Sequence, residues 1–291
     1  MLRKGDKIGL VCCSDGHTDG RRKTNEALDG VLREMGLLPV WSPYLYAKTS
    51  VFSASGRERS EIVNEFYRRD DIRAIFDLSG GNVGNHVLEY LDYGLIKTHP
   101  KIFFGYSDLT TVLNSLLKKA AVPVCLYQLR NLVLQDGPIQ QARFRETLLE
   151  GGNSLFDAKF TFLRGASLSG TVIGGNVRCL LKLAGTPYFP DCHNKVLFLE
   201  SLGGDPGALS AMAVQLRQMG VFSQISGLLL GTFTKMEQDK LTPTAEELFL
   251  RATEPFALPV AKTTEIGHGT DSKALLLGRP ITLTRSQEEV R

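Results

Sequence analysis

The chain has 291 residues, of which 43% are hydrophobic and 22% are charged, a composition typical of a globular protein of about two domains. Its 34 basic residues stand against 31 acidic ones, and these charges are distributed along the whole sequence. The formal net charge of +3 gives no electrostatic support for nucleic-acid or membrane binding. We therefore expect a small molecule or a peptide as the partner.

The cysteines and the first residues predict the cellular compartment. The five cysteines are odd in number and show no Cys-x-x-Cys spacing, so we expect free thiols in the core. The chain starts Met-Leu-Arg-Lys-Gly-Asp without an apolar signal region, and no apolar run is long enough to span a bilayer. We predict a cytoplasmic protein.

The first half of the chain alternates strand-like and helix-like patterns. The pattern predicts strands at residues 7–12, 38–41, 74–78, 102–104 and 122–126, and helices at residues 21–35, 57–69, 86–91, 109–119 and 139–150. This alternation predicts a parallel sheet covered by helices. The loops after three strands should then converge at one sheet edge, where ligands bind: Cys13-Ser14-Asp15, Ser79-Gly80-Gly81 and Gly105-Tyr106-Ser107.

The second half has shorter strand-like segments. It predicts strands at residues 167–173, 196–199, 228–232, 260 and 281–284, and helices at residues 176–183 and 206–219. We interpret residues 151–170 as an interdomain crossing. The prediction is an α/β protein with an N-terminal domain at residues 1–150 and a smaller, mixed α/β C-terminal domain at residues 171–291.

Ser107 is the candidate nucleophile. It follows the predicted strand at residues 102–104 and precedes a helix, whose N-terminus supplies unpaired N–H groups and the positive end of the helix dipole. Both features suit attack on a carbonyl. Ordinary helix capping by Ser107 or Asp108 is the alternative, since Gly-x-Ser-Asp departs from the Gly-x-Ser-x-Gly nucleophile elbow.

A serine nucleophile needs a base and an orienting acid. His268 is the candidate base, because it stands between two glycines that expose the ring. We expect His17, His99 and His193 to be solvated. Glu200 is the candidate acid, because a carboxylate at the end of an apolar strand is unsuited to core packing. The alternative for Glu200 is a solvent-facing position at the start of a loop.

The glycine-rich turns allow two functional interpretations, a phosphate-binding loop or part of an oxyanion hole. The run Gly80-Gly81-Asn82-Val83-Gly84 resembles part of a phosphate-binding loop, and Gly174-Gly175-Asn176 does so less well. For acyl transfer, the Gly80-Gly81 turn would instead form half of an oxyanion hole. The sequence contains no HExxH motif, complete Walker loop or carboxylate-histidine cluster, so we predict no metal and no cofactor.

Short motifs occur in a fixed order along nearly the whole chain. They are Gly5-Asp6-Lys7-Ile8-Gly9-Leu10-Val11, Ser79-Gly80-Gly81, Leu91-Asp92-Tyr93, Pro100-Lys101-Ile102, Gly105-Tyr106-Ser107-Asp108-Leu109-Thr110, Gly174-Gly175-Asn176, Gly185-Thr186-Pro187-Tyr188, Leu197-Phe198-Leu199-Glu200 and Gly267-His268-Gly269. With this set the chain resembles the LD-carboxypeptidases of serine peptidase family S66.

The resemblance implies a Ser-Glu-His triad at Ser107, Glu200 and His268, and an oxyanion hole from the main-chain amides of Gly81 and Asp108. It also implies a flavodoxin-like N-terminal domain and a homodimer. The implied activity is hydrolysis of an amide bond between an L-centre and a D-amino acid, with terminal D-alanine released from recycled murein tetrapeptide. Two alternatives stay open, a microcin-C-immunity-type amidase acting on a peptidyl-nucleotide and a non-catalytic ligand-binding homologue.

Residues around the expected pocket depart from the family pattern. Where the family has Gly-Gly-Tyr-Gly and then Arg, this chain has Asn82 and His86, and the family's His-Gly-Pro or Tyr-Gly-Pro is Tyr127-Gln128-Leu129. We predict substrate contacts at Asn82, His86, Tyr127 and Asn176. A microcin-type enzyme should carry an aromatic platform for the nucleobase, whereas the only tryptophan, Trp41, lies near a strand end in the N-terminal half.

Overall fold

A computed structural model of the chain describes residues 1–285, which form two six-stranded sheets. The strands of the first sheet are β1 (Lys7–Val11), β2 (Leu38–Trp41), β3 (Ile72–Asp77), β4 (Ile102–Gly105), β5 (Val124–Leu126) and β11 (Leu275–Leu277). Their spatial order is β11-β5-β4-β3-β1-β2, in which β1 to β5 pair in parallel and β11 is antiparallel to β5.

The order β2-β1-β3-β4-β5 is that of flavodoxin-like sheets, which confirms the predicted fold of the N-terminal half. The helices between these strands are α1 (Arg22–Glu34), α2 (Gly56–Arg68), α3 (Tyr93–Thr98), α4 (Thr110–Ala120) and α5 (Gly137–Phe144). Two predicted helices differ in form. Residues 84–90 form a 3₁₀ helix, and α5 ends at Phe144 in a single π-helical turn.

The second sheet has the order β12-β7-β8-β9-β10-β6. Its strands are β6 (Thr161–Arg164), β7 (Ser167–Asn176), β8 (Lys195–Ser201), β9 (Gly227–Phe233), β10 (Val260–Lys262) and β12 (Pro280–Thr284). The four central strands are parallel, and the two edge strands are antiparallel to their neighbours. The associated helices are α6 (Val177–Leu181), α7 (Pro206–Gln218), α8 (Thr234–Gln238) and α9 (Ala245–Thr253).

Two strands lie where the sequence did not predict them. The segment interpreted as an interdomain crossing contains β6 and the start of β7, both in the second sheet. Near the other end, β11 returns to the first sheet and pairs with β5. The division at residues 150 and 171 stays a prediction, because the chain after His268 contributes to both sheets.

Helix α4 joins the two halves of the molecule directly behind Ser107. The Asn114 side chain exchanges two hydrogen bonds with the main chain of Gly174, at 2.9 and 3.1 Å, and the Asn176 N–H donates to Thr110 Oγ1 at 2.9 Å. Gly175 permits this approach, because a Cβ at that position would meet Thr110 Oγ1 at 2.5 Å. The end of β7 is therefore fixed against the start of α4.

The core confirms the expectation for the cysteines, since all five are buried and free. Strand β8 is buried from Val196 to Ser201, as expected for a central parallel strand covered on both faces. Within residues 1–285, no helix is both long and apolar enough to cross a membrane.

Candidate active site

Ser107 lies in a strained turn between β4 and α4. Its φ is +56°, in the left-handed region that non-glycine residues rarely adopt and that costs about 1–2 kcal/mol. The capping interpretation is wrong, because neither the short 3₁₀ helix at Ser107–Leu109 nor α4 receives a side-chain cap. This turn has the character of a nucleophile elbow although the second glycine of that motif is absent.

His268 connects Ser107 to Glu200 across the two halves. His268 Nε2 lies 3.1 Å from Ser107 Oγ, and Nδ1 lies 2.5 Å from Glu200 Oε2. Because a carboxylate only accepts, Nδ1 carries the proton and Nε2 is left to accept from the serine hydroxyl. The Tyr106 ring packs against the imidazole, with centroids 4.4 Å apart.

Glu200 is fully buried at the end of β8, so the solvent-facing alternative is wrong. Its Oε2 accepts from His268, whereas Oε1 has no partner within residues 1–285. Burial and then the Glu200 charge raise the pKa of Tyr106 well above its usual range, so this phenol stays neutral. Tyr106 therefore packs against the imidazole without adding a charge to it.

The Gly81 loop lines the same cavity as Ser107. Gly81 has φ +125°, and a Cβ there would overlap the Asp15 carboxylate. That carboxylate accepts from the N–H groups of Asn82 at 2.8 Å and Val83 at 3.3 Å and so fixes the loop. Within residues 1–285, neither the Gly81 N–H nor the Asp108 N–H donates to the protein, so both are available to a ligand.

The Asp108 side chain is structural. Its buried carboxylate accepts from Ser14 Oγ and from the Gly84 N–H, both at 2.7 Å, and forms an ion pair with Lys182. These contacts hold the residue after Ser107 against the loops that follow β1 and β3. The sequence predicts this side chain only as an alternative helix cap, and these long-range contacts are not apparent from it.

Two cations of α6 and the turn after it hold the glycine loop from the opposite side. Arg178 donates to Gly81 O and Asn82 Oδ1, both at 2.9 Å, and Lys182 donates to Asn82 O at 2.8 Å. The sequence does not predict a role for either residue, because about 100 residues separate them from the loop and they belong to no local motif.

Ser107 and His268 open into a cavity of about 390 Å³. Its walls come from the loops after all five parallel strands, β1 to β5, together with Leu202 and His268 of the second half. The predicted convergence of loops at one sheet edge is confirmed. The cavity lies over β1 and β3, the switch point at which flavodoxin-like folds bind ligands.

The four predicted substrate contacts do not line this cavity. Asn82 holds the glycine loop through Arg178, and the exposed ring of His86 stacks on Phe52 with centroids 6.3 Å apart. Tyr127 is buried and donates to Gln140 Oε1 at 3.1 Å, and Asn176 caps α6. Substrate contact by these four residues stays a prediction.

His17 is buried, which corrects the expectation of a solvated side chain. It is 4% exposed, with Nε2 3.0 Å from Leu78 O and Nδ1 3.1 Å from Asn25 Nδ2. Burial lowers the pKa of His17, so the ring is neutral in this wall of the cavity. Within residues 1–285, no three His, Cys, Asp or Glu side chains lie close enough to hold a metal ion.

The fold is an α/β scaffold of two sheets with a shared cavity, and comparison with known proteins identifies its family. Residues 8–127 match the family model described as LD-carboxypeptidase N-terminal domain, and residues 169–283 match the LD-carboxypeptidase C-terminal domain. The chain belongs to the LD-carboxypeptidase family, which confirms the resemblance seen in the motifs.

Among its relatives is the probable murein peptide carboxypeptidase of Bacillus subtilis, 25% identical over 99% of this chain and 91% of that protein. Solved structures of similar fold include MccF in complex with glutamyl sulfamoyl guanosine, with a TM-score of 0.86, 21% identity and coverage of 97% of this chain and 94% of MccF. Muramoyltetrapeptide carboxypeptidase from Oxalobacter formigenes has a TM-score of 0.79 and 22% identity, covering 96% of this chain and 95% of that one.

Proposed function

We propose that this chain is a serine-type LD-carboxypeptidase that releases terminal D-alanine from a murein tetrapeptide. The observation that carries the proposal is the continuous series of hydrogen bonds from buried Glu200 through His268 to Ser107. The family membership and the name of the Bacillus subtilis relative support the substrate class. The cavity volume of about 390 Å³ suits the end of a peptide.

The proposed reaction begins with proton transfer from Ser107 Oγ to His268 Nε2 as the oxygen attacks the scissile carbonyl carbon. The N–H groups of Gly81 and Asp108 hold the resulting oxyanion, and Glu200 stabilises the imidazolium. His268 then returns the proton to the leaving amine, and D-alanine departs. Water, activated by the same imidazole, hydrolyses the acyl-enzyme and frees Ser107.

The strained backbone of Ser107 supports this role. A left-handed serine persists only where its surroundings over-determine it, and such strain clusters at active sites. Here Asp108 is held by Lys182, and the following helix is joined to β7. The serine hydroxyl is thereby held at hydrogen-bond distance from its base.

Covalent labelling with a fluorophosphonate tests the nucleophile. We expect one adduct, mapped by peptide mass spectrometry to Ser107, and no adduct in Ser107→Ala. The exposed Ser223→Ala variant is the matched control and should label like wild type. An adduct at another serine, or tetrapeptide hydrolysis retained by Ser107→Ala, would remove Ser107 from the mechanism.

A microcin-C-immunity-type amidase is the alternative enzyme, since MccF shares the fold. The aromatic platform expected for its nucleobase is not supplied by Trp41, which donates to Asp29 Oδ1 at 2.7 Å and lies outside the cavity wall. Hydrolysis of an aminoacyl sulfamoyl nucleoside in preference to the tetrapeptide would favour this alternative. Absence of both labelling and hydrolysis would favour a non-catalytic ligand-binding protein.

The family resemblance also supports a homodimer and a cytoplasmic location, which we include in the proposal. Sedimentation equilibrium of the purified chain measures the oligomeric state, and fractionation of the producing cell measures the location. A mass near the 32.0 kDa of one chain at micromolar concentration would contradict the dimer.

A further inference from the structure

Gln128 and Arg130, which follow β5, line the same cavity as Ser107 and His268. Gln128 Oε1 accepts from both the main-chain N–H and the Nε of Arg130, each at 3.3 Å. Since both groups are donors, the amide oxygen must face them, and the amide nitrogen faces away. Nε2 then has no hydrogen-bond partner within residues 1–285, although Gln128 is only 4% exposed.

A buried donor without a partner is costly, and native structures rarely keep one unless water or a ligand satisfies it. Gln128 Nε2 can only donate, so its missing partner is an acceptor. Because Gln128 lines the cavity that contains the proposed nucleophile, an acceptor on the substrate is the relevant partner.

The Arg130 guanidinium is the second half of this site. Its terminal nitrogens donate to no residue within the described range 1–285. The carboxylate in the cavity wall, Asp15, is already bound to the N–H groups of Asn82 and Val83. Arg130 therefore offers a planar pair of donors, the geometry that matches a carboxylate in a bidentate pair.

We propose that Gln128 and Arg130 bind the terminal carboxylate of the peptide substrate. The Arg130 terminal nitrogens donate to the two carboxylate oxygens, and Gln128 Nε2 donates to one of them. This inference rests on the proposed function, because a carboxypeptidase must recognise a free carboxylate one residue beyond the cleaved bond. One residue spans at most about 3.6 Å, so the subsite must share a cavity with Ser107, as these residues do.

Gln128 falls within the Tyr127-Gln128-Leu129 segment that departs from the family's His-Gly-Pro or Tyr-Gly-Pro, and Arg130 comes directly after it. Arg21, in the wall of the same cavity, is the competing cation, but its side chain is exposed and no carboxamide of residues 1–285 is paired with it.

The kinetic test uses two tetrapeptides that differ only in a terminal carboxylate or carboxamide. We expect wild type to prefer the free acid by about 10- to 100-fold in kcat/KM, the worth of a charged hydrogen-bonded pair. Arg130→Met should bring this ratio close to one, and Arg130→Lys should restore only part of it. Arg251→Met, at an exposed position of α9, is the matched control and should keep the wild-type ratio.

Binding is measured separately from turnover, by calorimetry of an acetylated dipeptide ending in D-alanine and of its amide, on Ser107→Ala with and without Arg130→Met. Tighter binding of the free acid than of the amide, lost in Arg130→Met, supports the subsite. This result would stand even if wild type hydrolysed no tetrapeptide and the proposed function were wrong. Wild-type hydrolysis combined with an unchanged acid-to-amide ratio in folded Arg130→Met and Arg130→Lys would overturn the subsite alone. Loss of the acid-to-amide preference in Arg21→Met, with the preference kept in Arg130→Met, would also overturn the subsite.

Discussion

Lys182 donates a hydrogen bond to the buried carboxylate of Asp108, the residue that follows Ser107. The same ammonium group donates to Asn82 O at 2.8 Å, one residue beyond Gly81. One side chain from the second half therefore holds both loops that carry the proposed oxyanion donors. The site depends on how the two halves dock as well as on residues that contact substrate.

Lys182→Met should lower kcat by about 10-fold with a smaller change in KM, because misplaced donors weaken transition-state binding. It should also destabilise the chain by ~2 kcal/mol, since Asp108 keeps two hydrogen bonds but loses its cation. Urea unfolding and steady-state kinetics measure both. Lys23→Met, on an exposed turn of α1, is the control, and equal kcat in the two variants would contradict the positioning role.

Gly81→Ala should lower kcat by about 100-fold, the usual effect of losing one oxyanion donor. Alanine disfavours φ +125°, and its Cβ overlaps the Asp15 carboxylate, so the loop must move. Gly30→Ala in α1 is the matched control, because no atom lies within 4 Å of the added Cβ, and it should stabilise the helix by about 0.5–1 kcal/mol. Unchanged kcat in Gly81→Ala would exclude this N–H from the oxyanion hole.

Glu200→Gln should lower kcat by about 10²- to 10⁴-fold and leave more activity than Ser107→Ala. The amide can still accept from His268 Nδ1, but it cannot stabilise the imidazolium. Glu34→Gln, at the exposed end of α1, controls for the loss of one charge. Wild-type kcat in Glu200→Gln would move the acid elsewhere. Glu265 is a poor substitute, because it is bound to Lys273 at 3.0 Å and to the Lys159 N–H at 2.6 Å.

His17 should make stability fall in mild acid. Its pKa in the folded chain is lowered by burial, whereas the unfolded chain takes up the proton near pH 6.5. Below about pH 6.5 the unfolded state therefore binds more protons at this position, and stability falls as the pH drops; above it, this group adds no pH dependence.

Urea midpoints between pH 5 and 8 check this expectation. Wild type and the exposed control His193→Gln should lose stability towards acid more steeply than His17→Gln. The comparison is between slopes, since His17→Gln also disturbs the hydrogen bonds to Leu78 and Asn25. Equal slopes in wild type and His17→Gln would show that His17 does not titrate as its burial requires.

Most of the first sheet could be predicted from the sequence, and Ser107, Glu200 and His268 could be selected as candidate site residues, because each has a local signal. The signals are an apolar run before Gly-Tyr-Ser-Asp, a carboxylate at an apolar strand end and a histidine between glycines. In the structure, Ser107 Oγ lies 3.1 Å from His268 Nε2, and His268 Nδ1 lies 2.5 Å from Glu200 Oε2.

What escaped prediction depends on contacts between distant segments. Strand β11 is only three residues long and needs β5 as its partner, so periodicity does not reveal it. His17 stands in a polar segment of sequence, but in the folded chain it is buried and contacts Asn25 and the Leu78 carbonyl. The positions of Gln128 and Arg130 in the cavity wall likewise follow from folding, since the sequence shows only that Tyr127-Gln128-Leu129 departs from the family pattern.

Chiral detection of free alanine measures whether Ser107 is required for release of a terminal D-amino acid. Two tetrapeptides identical except for a D- or L-alanine terminus are incubated with wild type and with Ser107→Ala. We expect D-alanine release by wild type alone, with at most trace release of L-alanine from the L-terminated peptide. Equal release from both peptides, or D-alanine release by folded Ser107→Ala at the wild-type rate, would contradict it.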